Sequence, residues 1–118
     1  MRKLEGEQVL ARIFIGENDK WHHQPLSIAL VERLRREGFA GATVFRGTTG
    51  FGARSIVHTT HLLDLSADLP VVIEIVDGEQ QIESLQSILD EMVGEGGCLV
   101  TMEKVRVLKY EAGKPSRN

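Results

Sequence analysis

With 118 residues, 42% of them apolar and 26% charged, the chain has the composition of a globular domain that buries roughly two thirds of its unfolded surface without help from disulfides. A formal net charge of -3 argues against a nucleic-acid protein, which needs clustered cations. Arg33, Arg35 and Arg36 do cluster, but Glu32 and Glu37 sit among them, as on a solvated helix face.

Cys98 is the only cysteine, so no internal disulfide forms and a reducing compartment is expected. The start of the chain has no apolar leader, and the first apolar run, 9–15, is interrupted by Arg12 and too short to span a bilayer. The expectation is a cytoplasmic protein with no direct membrane insertion and a single domain over 1–118, with 1–8 and 113–118 as loose ends.

Residues 9–15 are β-branched and aromatic and predict a first strand, stopped by Gly16. A loop, 16–24, leads to Pro25, whose missing N–H costs nothing at the first position of a helix. Leu26, Ala29, Leu30 and Leu34 follow at helical spacing, and Gly38 is a natural stop. Residues 41–45 predict a second strand. A long polar stretch, 47–66, separates it from a third strand at 71–76, placed just after Pro70. Asp77 and Gln80 have the spacing of a capping box. Ile82, Leu85, Ile88, Leu89, Met92 and Val93 then predict a second helix, ended by Gly94, Gly96 and Gly97. A short apolar piece, 98–100, precedes a fourth strand at 102–110.

The order β-α-β, β-α-β with right-handed crossovers gives an α+β, ferredoxin-like sandwich: a four-stranded antiparallel sheet with two helices on one face. Side chains alternate across a sheet. One face therefore collects Val9, Ala11, Ile13 and Ile15 with Val71, Ile73 and Ile75, and should meet the helices. The other collects Leu10, Arg12 and Phe14 with Val72, Glu74 and Val76. It is too apolar for a face left in water, and Arg12 and Glu74 have the parity to pair. This points to burial of the second face by self-association.

At this point the residues resemble a known family. The run 68–76 looks like the third-strand motif of PII signalling proteins, and Thr49-Gly50-Phe51-Gly52 looks like the opening of their T-loop. Gly94, Gly96 and Gly97 sit where the PII B-loop lies, and 107–113 resembles the C-terminal strand and C-loop. A closer resemblance is to a PII-like family known as domain of unknown function 190. It shares Gly16-Glu17 with Asp19, Gly41-Ala42-Thr43-Val44 with Arg46-Gly47, Gly50-Phe51-Gly52, His58 and Leu69-Pro70. The resemblance spans about 9–110.

It implies a homotrimer with the sheets turned inward and a nucleotide site between subunits, where T-loop base, B-loop and C-loop meet. It also implies a T-loop that docks on a partner according to the ligand held. The company this family keeps with small fluoride-channel genes adds a membrane transport or channel protein as partner. Departures from PII bear on the ligand: Gly97 stands nearest the phosphate-binding B-loop lysine, and Glu111 replaces one C-loop cation while Lys109 is kept. The loop also lacks the tyrosine that PII proteins modify. Fewer cations favour a smaller adenine nucleotide or another anion over ATP.

Gly47, Gly50 and Gly52 either present backbone N–H groups to an anion or supply a flexible loop base. Arg46 and Arg54 flank them as phosphate partners, and Lys109 is the better-supported cation. Gly96 and Gly97 either shape a phosphate-facing turn or merely stop the helix. His58 is a candidate to line the loop base. His58 and His61, with His22 and His23, raise an alternative: a metal-binding trimer like the copper-tolerance relatives of PII. The sequence does not bring together the three or four donors such a site needs. Glu17, Asp19 and Trp21 read first as a helix-entry turn and a packed aromatic. No nucleophile–base arrangement and no carboxylate pair with split pKa values is visible, and the phosphate cradle of acylphosphatase, which shares this topology, is missing. The expected protein is thus a trimeric regulator, not an enzyme.

Overall fold

Apolar residues at every second position demand an extended chain with one buried face. In the computed structural model, which describes residues 4–51, 68–94 and 97–113, they form the eleven-residue strand β1 (Gly6–Gly16), with Ala11, Ile13 and Ile15 buried. β1 begins at Gly6 because Gly6, Glu7 and Gln8 pair with Val107, Arg106 and Val105. Residues 6–8, expected among the loose ends, are therefore held in the sheet.

The loop after β1 contains a small antiparallel ribbon, β2 (Lys20–Trp21) with β3 (Gln24–Pro25), where the sequence predicts a loop over 16–24 and Pro25 as the first helical residue. Pro25 instead ends β3 and stands just before the helix. The ribbon's turn residues His22 and His23 have positive φ, 47 and 71. Pro25 leads directly into α1 (Leu26–Arg36), which buries Leu26, Ala29, Leu30 and Leu34 as its spacing predicts. The helix ends in a Schellman arrangement: Phe39 N–H reaches the Leu34 carbonyl (3.1 Å) and Gly38 N–H that of Arg35 (3.2 Å). Gly38 adopts φ +84, which a side chain would resist, and Phe39 tucks into the core.

β4 (Thr43–Arg46) and β5 (Pro70–Asp77) follow; β4 starts two residues later than expected and runs one further. The second helix is broken into α2 (Glu79–Glu83) and α3 (Leu85–Met92). At the break the N–H and the hydroxyl of Ser84 both turn back to the Gln81 carbonyl, 3.1 and 2.6 Å away. A serine hydroxyl competes in this way with the helical ladder. The capping box does not form. Asp77 is the last residue of β5, and its carboxylate accepts instead from the N–H of Ala40 (2.9 Å) and of Gly78 (2.7 Å).

β6 (Leu99–Val107) takes in residues 99–100 of the apolar piece, leaving Cys98 outside, and ends three residues before expected. The chain then leaves the ladder, and the Tyr110 hydroxyl donates to the Ala40 carbonyl at 2.9 Å.

All pairings are antiparallel in the order β4-β5-β1-β6, with both helical layers on one face: the α+β, ferredoxin-like sandwich. Among the described residues no helix is long and apolar enough to cross a membrane. The opposite face carries Leu10, Arg12, Phe14, Val72, Glu74 and Val76, as alternation requires. The register adds Phe45 and Leu99, which are 50% and 58% exposed. At its centre Arg12 lies opposite Glu74 and binds its carboxylate at 3.1 Å and that of Glu103 at 2.9 Å. The hydrogen bonds to Glu103, then Glu74, raise the guanidinium pKa further.

Candidate functional site

Where β4 ends, the backbone has no room for a side chain. Gly47 N–H donates to the Pro70 carbonyl at 2.7 Å, and a Cβ on Gly47 would lie 2.7 Å from Pro70 Cγ. Glycine is the residue that fits there. Gly50 also lies against the Pro70 ring, and Phe51 beside it is 72% exposed. The base of the 47–66 segment is thus seated on the first residue of β5.

The loop after β1 is fastened to the same spot. Glu17 N–H reaches the Leu69 carbonyl (2.8 Å), and Asn18 N–H reaches the Asp68 carboxylate (3.0 Å). Asp19 builds the helix-entry turn: its carboxylate accepts from Gly16 N–H (2.9 Å) and its carbonyl from Leu26 N–H (2.8 Å). Trp21 packs against the core and stacks on His22, ring centres 3.8 Å apart. Glu17 does more than build a turn, because its carboxylate forms an ion pair with Arg46 at 2.6 Å. The candidate cation of the loop base is therefore already engaged.

Arg46, Gly47, Gly50 and Phe51 stand together at one end of the sheet. Gly97, whose N–H meets the Gly94 carbonyl at 3.0 Å, precedes β6 at the same end but at the opposite edge. Three strand spacings make that separation about 14 Å. Lys109 follows β6 at the other end, roughly 26 Å along the strand direction, and pairs with Glu111 at 3.1 Å. Within one chain, then, the two cations Arg46 and Lys109 face different ends. Gly52, Arg54, His58, His61 and Gly96 lie outside the described residues.

His22 and His23 are exposed at the hairpin turn, and among the described residues no three His, Cys, Asp or Glu side chains gather as metal ligands. Burial, then the nearby carboxylates of Asp19 and Asp90, push the Cys98 thiol above its ordinary pKa, away from the thiolate. The contributions of Glu17 and Asp68 at the loop base had no local signal. Asp68 meets the first loop across 50 residues of chain, and only the β1–β5 register brings them together.

The chain matches the family model DUF190, described as Uncharacterized ACR, over residues 8–107. A UPF0166 protein of Aquifex aeolicus (strain VF5) is 37% identical over 99 residues, 84% of this chain and 91% of the relative. Among solved structures the chain is similar to CPII from Thiomonas intermedia K12 bound to ADP, AMP and acetate. The TM-score is 0.64 at 14% identity, over 91% of this chain and 94% of that one. It is also similar to the same organism's CPII described as a nitrogen regulatory PII-like protein, bound to ADP, AMP and bicarbonate. There the TM-score is 0.54 at 16% identity, over 87% and 90% of the two chains. At these identities the structural likeness speaks for the fold. The match over residues 8–107 and the 37% identical relative speak for descent: the chain belongs to the DUF190 family, and its fold is PII-like.

Proposed function

We propose that this protein is a homotrimeric PII-like regulator, one domain over 1–118, that binds a small anionic ligand between subunits. The ligand class is an adenine nucleotide, in keeping with the ADP and AMP held by the structurally similar CPII. The observation that carries the reading is the open sheet face. Phe14, Val72 and Val76 remain only half-covered, Phe45 and Leu99 are exposed, and Arg12 is neutralised among them. A face this apolar favours closing against copies of itself.

Association also supplies what one chain lacks. Arg46, Gly47, Gly50 and Phe51 lie at one sheet end and Lys109 at the other, so a second copy is needed to set both cations around one anion. Gly97, with the adjoining Gly96, belongs to the same proposed site, as do Gly52, Arg54 and His58. The ligand would take Arg46 from Glu17, exchanging an internal carboxylate for an external anion. Loss of that pair would tell the 47–66 segment that the site is filled, and a partner, the membrane transport or channel protein that the family resemblance implies, would respond. Such a protein works in the cytoplasm as a binding module, with no catalytic step.

Titration calorimetry with AMP, ADP and ATP tests this directly. Binding of at least one adenine nucleotide with Kd below about 1 mM is expected, with ATP not preferred, since the site has few cations. Absence of binding by all three would remove the proposed input. Zinc or copper bound in their place would favour a metal-binding trimer instead.

A further inference from the structure

We infer that the groove between α2–α3 and β6 is a docking surface for a short basic, amphipathic segment of another protein. It lies on the helix-bearing side of the sheet; Gly97 at one end of its lining also belongs to the proposed nucleotide site, but the residues that define the groove, Val100, Met102, Glu79, Glu83 and Asp90, do not. α2 sits over β1, and the helical layer leaves the β6 edge uncovered. Among the described residues, the β6 side chains that turn toward the helices therefore have no lid: Val100 is only half-buried, and Met102 is 63% exposed. With Val9, Leu89 and Val93 they floor a groove of about 930 Å³.

The rim decides the partner's charge. Glu79 and Glu83 of α2 and Asp90 of α3 line the helix side, and all three are exposed. Among the described residues none of them is in an ion pair. The cation across the groove, Lys104, is turned to Glu7 at 3.5 Å. Glu79 and Glu83 stand one helical turn apart, so their carboxylates form a short row rather than a scatter. An apolar floor accepts Leu, Ile or Met side chains, flexible Met102 adapts to them, and the row of carboxylates selects Lys or Arg on one flank. An acidic segment would meet uncompensated like charge, which gives the surface its discrimination.

The test uses the full chain with ¹³C-methyl methionine, Met102 being assigned through Met102→Leu. The probes are a twelve-residue helix-forming peptide with leucines on one face and lysines on the flanks, and its glutamate counterpart. The lysine peptide should move the Met102 methyl signal. The triple variant Glu79→Gln, Glu83→Gln, Asp90→Asn, confined to exposed positions, should weaken that binding about tenfold or more. The glutamate peptide should leave the signal where it is. The inference is overturned by an unmoved Met102 signal, by equal response to both peptides, or by unchanged affinity in the triple variant. It is also overturned if the Met102 signal moves on dilution of the protein alone, since a second copy would then occupy the groove.

Discussion

Asp77 shows how much a single side chain can hold when it has no contact with water. Its carboxylate, 0% exposed, receives the N–H groups of Ala40 and Gly78 and so joins the turn after α1 to the turn before α2. Removing the acceptor leaves two partly buried donors without it. Asp77→Ala should therefore cost roughly 2–4 kcal/mol, read as a lowered urea midpoint with unchanged slope, while Asp77→Asn should cost less because it keeps an acceptor. A loss under about 0.5 kcal/mol in the alanine variant would contradict the assigned bonds. Arg46 makes the complementary case, since its pair with Glu17 is 67% exposed on the arginine side and contributes little to stability. Arg46→Ala should leave the unfolding midpoint nearly unchanged and weaken nucleotide binding about tenfold. Glu17→Gln should strengthen it, by up to about fivefold, because the competing carboxylate is gone. Calorimetry showing weaker binding in Glu17→Gln would refute the exchange of partners.

At the scale of elements, the apolar alternation of 9–15 and 71–76 was enough to read which face meets the helices and that Arg12 and Glu74 share the other; the register then sets them opposite each other. Periodicity of 3.6 likewise located both helical layers. What failed did so where a local group had two possible partners. Asp77 looked like a cap because it precedes a helix, but the distant Ala40 N–H holds one side of its carboxylate. Ser84 is invisible to a hydrophobic count, yet its hydroxyl breaks the helix the count predicts. The candidate site was legible in its glycine at 47, whereas the Glu17–Arg46 pair and the Asp68 anchor depend on strand register and left no trace in spacing.

Arg33 links the two helical layers, bonding Glu37 on its own helix and both oxygens of Glu91 on α3 at 2.6 and 3.1 Å. That hydrogen bond holds the Glu91 carboxyl below its ordinary value of 4.5. A depressed carboxylate stabilises the fold above its unfolded pKa and loses that contribution as pH falls through the lower folded value. The stability gap between the parent chain and Glu91→Gln should accordingly be present at pH 6 and close below pH 4.5. A gap that widens toward acid would reverse the sign of the interaction.

For the whole molecule, the account rests on a sheet with one face sealed by helices and the other unfinished. Ala11, Ile13, Ile73 and Ile75 are almost wholly removed from water, while Phe45 and Leu99 across the sheet keep half their surface. A stable interface needs about 800 Å² from each partner, and a four-stranded face is large enough to give it. Substituting a charge on that face should separate the proposed trimer without touching the core, and with it should go the proposed site that needs Arg46 and Lys109 together. Native mass spectrometry of the parent chain and of Phe14→Glu, each with ADP, measures this most directly. The account predicts three chains of 13.1 kDa, about 39 kDa, carrying nucleotide for the parent, and a bare 13.1 kDa species for the variant. A 13.1 kDa parent at micromolar concentration, or a monomeric variant that still holds ADP, would contradict it.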